Sequence, residues 1–109
     1  MTDIEELRQK IVQFTEDRDW DQFHNPKDLA IALSVEANEL LECFLWKNPA
    51  DVKIEKVEEE LADVFNYAIL MASKYNLDIK QIVLKKLACN AEKYPVDKAR
   101  GNAKKYNEL

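Results

Sequence analysis

Glycine is almost missing from this chain: Gly101 is the single one in 109 residues, and there are only three prolines. So little turn chemistry excludes a sheet of hairpins as the organising element. Histidine is as scarce. The one histidine, His24, falls outside any helical pattern, so the paired Glu-x-x-His elements of di-iron carboxylate bundles are excluded. Zinc, which favours sulfur and imidazole, has little to bind. The two cysteines, Cys43 and Cys89, sit inside helical patterns with neither disulfide nor zinc spacing. They read as small buried hydrophobes. No apolar run approaches the roughly 20 residues that cross a bilayer, and nothing resembles a signal peptide. A cytosolic protein with no membrane partner is expected.

Basic charge is also short. The net charge is −5, which argues against nucleic acid as the main partner. From Lys93 onward the balance is +3, from Lys93, Lys98, Arg100, Lys104 and Lys105 against Asp97 and Glu108, which leaves −8 on the preceding residues. An acidic body with a basic tail is ordinary solvated surface, or a carboxylate site with a cationic arm.

Apolar residues are present at helical spacing throughout, and this predicts a single all-α domain. Helix one is expected from about Asp3 to Asp17, with Thr2 and Glu5 as a capping box and Ile4, Leu7, Ile11 and Phe14 as its stripe. Helix two begins at Asn25–Pro26 and runs to about Lys47. Asn48–Pro49 repeats the start signal for helix three, which extends to about Tyr75 with Asn76 suited to its end. Asp78 caps helix four, which Pro95 stops after Tyr94. An irregular basic tail completes a four-helix bundle.

Two stretches break the apolar logic. "SVEANELLECFLWK" places Glu36 inside the stripe of Leu29, Leu33, Leu40 and Phe44, with Glu39 about 60° aside at about 100° per residue. "EEELADVFNY" sets Glu60 on the flank of Val57, Leu61, Val64, Ala68 and Ala72, with Asp63 about 60° further out. Side by side, the two helices would aim four carboxylates into one cleft. Each pair of charges repels by about 3 kcal/mol at 5 Å and an effective dielectric near 20. Something positive is therefore expected. Solvated helix acids paired with lysines are the ordinary alternative, and that reading is kept for Glu42, Glu58 and Glu59. For Glu36, Glu39, Glu60 and Asp63 the position against the stripe favours a metal. Oxygen-only ligands select a hard cation, Mg²⁺ with Mn²⁺ as a substitute.

The spacing Glu36-x-x-Glu39 and Glu60-x-x-Asp63 resembles the metal-binding signature of the MazG-like all-α nucleoside triphosphate pyrophosphohydrolases. "RDWDQFHNPKDLAIAL", "ELLECFLWK", "EELADVFNY", "KKLACNAEKYP" and "KARGNAKKYNEL" extend the likeness to the dCTP pyrophosphatase branch over nearly the whole chain. The resemblance implies Mg²⁺ ligation by Glu36, Glu39, Glu60 and Asp63. It also implies a base pocket from Trp20, Gln22, Phe23 and His24 with Trp46 and Tyr67, and an approach of Lys86 and Asn90 to the phosphates or sugar. Ile11 stands where relatives of that branch can carry a polar residue, which leaves base and sugar preference open.

The activity implied is hydrolysis of a nucleoside triphosphate, with dCTP or a modified dCTP leading, to the monophosphate and pyrophosphate, as a cleaning of the nucleotide pool. Metal ions gather the triphosphate while a carboxylate, Glu36 or Glu39, activates water. The family's members assemble as dimers or tetramers, and helix two is apolar around most of its circumference. A homo-oligomer with shared active sites follows. The aromatic loop argues against a phosphoribosyl-ATP or dUTP hydrolase. A non-catalytic helical oligomer with a structural or regulatory metal is the alternative of a different class.

Overall fold

The computed structural model describes residues 3–109, and every regular element among them is helical. Five α-helices follow in order: α1 (Asp3–Asp17), α2 (Pro26–Glu42), α3 (Ile54–Lys74), α4 (Ile79–Lys93) and α5 (Val96–Ala99). Single 3₁₀ turns lie at Asp21–Phe23, Pro49–Asp51 and Tyr106–Glu108. The chain divides into two compact units, one ending at Leu77 and one running Asp78–Leu109. No described helix is long and apolar enough to cross a membrane.

In the first unit α2 and α3 pack antiparallel over much of their length, and α1 lies against α3. The helical stripes meet there. Leu29 of α2, only 1% exposed, is buried along with Ile69, Leu70 and Ala72 of α3 and Cys43 beyond the end of α2. The larger of these, Leu29, Ile69 and Leu70, each contribute about 1.5–3 kcal/mol by leaving water. Five members of the expected stripes are exposed instead: Ile4, Leu7 and Phe14 of α1, Leu61 of α3, and Phe44 just beyond α2. Ile31, Val35 and Leu41 of α2 and Phe65 of α3 are exposed as well. Cys89 is exposed as well, so only Cys43 is the buried hydrophobe expected of both.

The helix ends follow from local chemistry. The Asn25 side chain accepts a 2.9 Å hydrogen bond from the Asp28 N–H, with Pro26 at the first helical position. The expected Thr2 cap of α1 lies outside the described residues. Helix α3 closes on Asn76, whose φ of 53° lets Asn76 and Leu77 donate to the Ser73 and Ala72 carbonyls. That is the Schellman arrangement, here made by asparagine. Helix α1 closes in the same way on Asp19, φ 55°, with Trp20 donating to the Thr15 carbonyl at 2.9 Å.

The link between α2 and α3 departs from expectation. Helix α2 stops at Glu42 rather than near Lys47, because Phe44, Leu45 and Lys47 donate to the carbonyls of Leu41, Glu42 and Phe44 in tight i→i+3 turns. Trp46 sits in this segment at φ 61° and is fully exposed. Asn48 is extended, as a residue before proline prefers. Pro49 opens only a 3₁₀ turn, and extended Val52 and Lys53 postpone α3 to Ile54.

In the second unit the Asp78 side chain caps α4 by accepting from Gln81 N–H at 3.0 Å. The tail is more ordered than expected. After α5 and a turn at Gly101, φ 71°, the Tyr106 ring meets the Tyr94 ring edge-on at 6.2 Å. The Lys93 ammonium lies over the same ring at 4.9 Å. An aromatic contact and a cation–π contact thus return the tail to the end of α4.

Removing the Asn25 cap by Asn25→Ala should cost about 1 kcal/mol, read as a lower urea midpoint with unchanged slope. Asn25→Ser should retain most of that stability, whereas Asn25→Asp should not, because the Asn25 amide also donates to Asp28 at 2.7 Å.

Candidate active site

Antiparallel packing brings Glu36, in the middle of α2, to face Glu60 and Asp63 in the first half of α3. One carboxylate oxygen from each lies within 4.8 Å of the other two. Glu60 is buried and the other two are half-buried. Glu39, one turn after Glu36 and half-buried, stands outside this tight group but interacts with Glu36 directly. Three of the four expected carboxylates are thus held together, with the fourth beside them.

The electrostatics show what that arrangement costs. Burial, then a hydrogen bond with Glu39, and then the charges of Glu39, Asp63 and Glu60 push the Glu36 carboxyl up to about 7. Burial, and then the charges of Glu36, Asp63 and Glu39, also hold the Tyr67 phenol above its ordinary range. Glu36 Oε2 and Glu60 Oε2 are buried with no hydrogen-bond partner. An unsatisfied buried acceptor costs about 1–3 kcal/mol. Two such oxygens within one oxygen-only cluster fit a hard divalent cation. Among the ion pairs of the described residues, one counter-charge reaches the cluster: Lys56 Nζ lies 3.2 Å from Glu60 Oε1 and 3.7 Å from Glu59 Oε2. Glu60 was expected to face metal alone. The i,i+4 spacing from Lys56 carried the missing signal.

Beside the carboxylates opens a cavity of about 340 Å³. Helix α3 supplies Asp63, Asn66, Tyr67 and Leu70, α1 supplies Lys10, Ile11, Phe14 and Thr15, and the α1–α2 loop supplies Trp20 and His24. Asp63 belongs to both the cavity and the acid cluster. The loop is held in place by aromatic edges: Phe14 to Trp20 at 5.8 Å, then Trp20 to His24 and His24 to Tyr67, each at 6.5 Å. An ion pair from Lys74 of α3 to Asp21 ties the intervening 3₁₀ turn down. Asp21 is held below the usual carboxylate range by that ammonium.

The other expected substrate residues are scattered. Gln22 is exposed and donates to Asp19, and Phe23 is exposed, neither of them lining the cavity. Trp46 lies in the link beyond α2 and does not line it either. Lys86 is exposed and Asn90 half-buried, one turn apart on α4 of the second unit. Sequence reasoning passed over Lys10, Thr15 and Asn66. Asn66 follows Asp63 by three residues and so had a visible signal. Lys10 and Thr15 had none apart from the packing of α1.

Residues 31–109 match the MazG-like family. The chain belongs to that family. Relatives include dCTP pyrophosphatase 1 of Rattus norvegicus, 36% identical, and that of Homo sapiens, 35% identical, each over 97% of this chain and 67% of the relative. A crystal structure of a pyrophosphatase from Archaeoglobus fulgidus DSM 4304 superposes with a TM-score of 0.78 at 34% identity, covering 87% of this chain and 94% of that one.

Because the Glu36 carboxyl is raised from 4.5 to about 7 in the folded state, the folded protein holds this proton more tightly than the unfolded chain. Between those values stability falls as pH rises. In EDTA, the melting temperature should therefore drop as pH is raised from 5 to 8. Glu36→Gln should flatten that dependence and melt higher than the parent at pH 8.

Proposed function

We propose that this MazG-like protein is a divalent-cation-dependent nucleoside triphosphate pyrophosphohydrolase that releases pyrophosphate and a nucleoside monophosphate. The observation that carries the reading is Asp63, shared by a carboxylate cluster within 4.8 Å and an aromatic cavity of about 340 Å³. One part suits a cation with its phosphates and the other a planar base. The likeness to dCTP pyrophosphatase 1 supports dCTP as the leading substrate, and pool cleaning in the cytosol is the corresponding role. The family match crosses the boundary at Leu77, which supports reading 1–109 as one domain.

Glu36, Glu60 and Asp63 would hold the cation, Mg²⁺ or in its place Mn²⁺, with Glu39 completing the set. When bound, the cation supplies charge to offset that developing on the triphosphate oxygens. The protein's own groups do the rest. Glu39 lies outside the tight group and would be the least engaged of the four with the cation, so it would orient a water and take its proton, with Glu36 as its hydrogen-bonded neighbour. The phenol of Tyr67, kept protonated, is a donor at the boundary between cluster and cavity. Trp20 and His24 offer faces against which a base stacks.

A pyrophosphate-release screen over nucleoside triphosphates, with and without Mg²⁺, tests the assignment. Glu36→Gln, Glu60→Gln and Asp63→Asn should each lower turnover by orders of magnitude and weaken Mn²⁺ binding. Glu39→Gln should lower kcat comparably with a smaller loss of Mn²⁺ affinity, and Glu59→Gln should leave turnover largely intact. Diphosphate plus phosphate as products would place attack at another phosphorus and overturn the mechanism. No metal-dependent turnover on any triphosphate would favour the non-catalytic oligomer.

The exposed apolar side chains of α2 and α3, and an exposed Trp46 held at φ 61°, support self-association. An exposed tryptophan in a conformation that costs about 1–3 kcal/mol fits one that works against a second copy of the chain. In that arrangement Trp46 of one subunit completes the base pocket of its neighbour, in a dimer or tetramer. Trp46→Ala and His24→Ala should each raise KM for dCTP more than they alter the Mg²⁺ requirement. Subunit exchange between the two variants should restore part of the activity. Full activity from a demonstrably monomeric sample would rule out the shared pocket.

A further inference from the structure

The carboxylate cluster has one basic neighbour among the ion pairs of the described residues, and its position is not neutral toward a metal. The two oxygens of Glu60 are differently occupied: Oε1 lies 3.2 Å from the Lys56 ammonium, whereas Oε2 is buried without a partner. Glu60 is itself only 8% exposed, while the Lys56 side chain is more than half exposed. The ammonium therefore reaches the buried carboxylate from the solvent side, one helical turn back along α3. A second carboxylate is at hand, since Glu59 Oε2 lies 3.7 Å from the same ammonium and is well exposed.

We infer that Lys56 is a resident counter-cation of the metal site: it occupies Glu60 in the metal-free protein, opposes divalent-cation binding, and passes to Glu59 when a cation is bound. The inference rests on the metal reading of the cluster proposed above. Its physical basis is simple. A positive charge held against one ligand lowers the negative potential that draws the cation in, and it competes for Oε1 directly. The flexible four-carbon stem of lysine lets the ammonium swing between adjacent carboxylates without moving the helix. Binding then exchanges a univalent for a divalent partner at Glu60, which keeps that carboxylate aimed at the cluster in both states. Lys56 acts through Glu60 and is thus a positioning residue rather than a catalytic one.

The test measures Mn²⁺ alone, without nucleotide, binding to the full chain at pH 8 in 20 mM NaCl by titration calorimetry. Lys56→Met should bind Mn²⁺ about two- to fivefold more tightly, the size of effect expected for an exposed ion pair. Lys56→Gln should behave likewise, and Lys56→Arg should stay close to the parent. The advantage of Lys56→Met should shrink towards unity in 0.5 M NaCl, because the charge acts from an exposed position. Glu59→Gln should weaken Mn²⁺ binding in the parent and lose most of that effect when combined with Lys56→Met, a coupling read as a double-mutant cycle. Circular dichroism confirms that each variant is folded. If Lys56→Met and Lys56→Gln bind Mn²⁺ no more tightly than the parent, the counter-cation role is overturned and Lys56 is a support for Glu60. If the parent itself binds no Mn²⁺ while folded, the metal reading fails, and this inference fails with it.

Discussion

Mutual repulsion among carboxylates is the constraint around which the first unit is arranged. Packing α2 antiparallel on α3 buries the stripes that hold the helices together, and the same packing drives Glu36, Glu60 and Asp63 into contact. Hydrophobic burial is therefore what holds like charges close. The Glu36 carboxyl is pushed towards neutrality, two oxygens are left without partners, and one lysine is drawn in. Burial and crowding together produce these features, with burial the larger cause at Glu36. A fold that relieved the crowding with apolar side chains would have a better core and no place for a cation.

The α1–α2 loop is the second piece, and it depends on a different physics. Its residues have little backbone regularity, and the Phe14, Trp20, His24 and Tyr67 rings fix it by contacts between neighbours. Aromatic side chains are well suited to this, having large contact area and few torsions to freeze. The charge pair between Lys74 and Asp21 reaches across 53 residues of sequence and sets the height of the loop on α3. A rigid cavity wall is thereby built from a segment that would otherwise be a mobile connection.

Much of this was legible beforehand, and the failures are informative. Periodicity located all four long helices, since an amphipathic stripe is a local record of which face is buried. Glu36, Glu60 and Asp63 were legible because charged residues interrupting such a stripe need a reason. What could not be read was tertiary in origin. The early end of α2 at Glu42 depends on the turns before Pro49, and the contacts of Tyr106 with Tyr94 and Lys93 depend on a chain reversal. Lys10 and Thr15 enter the cavity only because α1 lies on α3. The likeness to MazG-like proteins named further residues, yet Gln22, Phe23 and Trp46 stand away from the cavity in the single chain.

Three chain reversals with left-handed backbone, at Asp19, Trp46 and Asn76, are made without glycine. Every side chain at such a position narrows the range of conformations open to the denatured chain, so less disorder is lost on folding. Asparagine and aspartate adopt this conformation with little strain, whereas tryptophan does not. The scarcity of glycine with which the sequence opens therefore has a thermodynamic consequence. It limits the entropy of the unfolded ensemble, a gain that the strain of left-handed backbone opposes, most of all at Trp46.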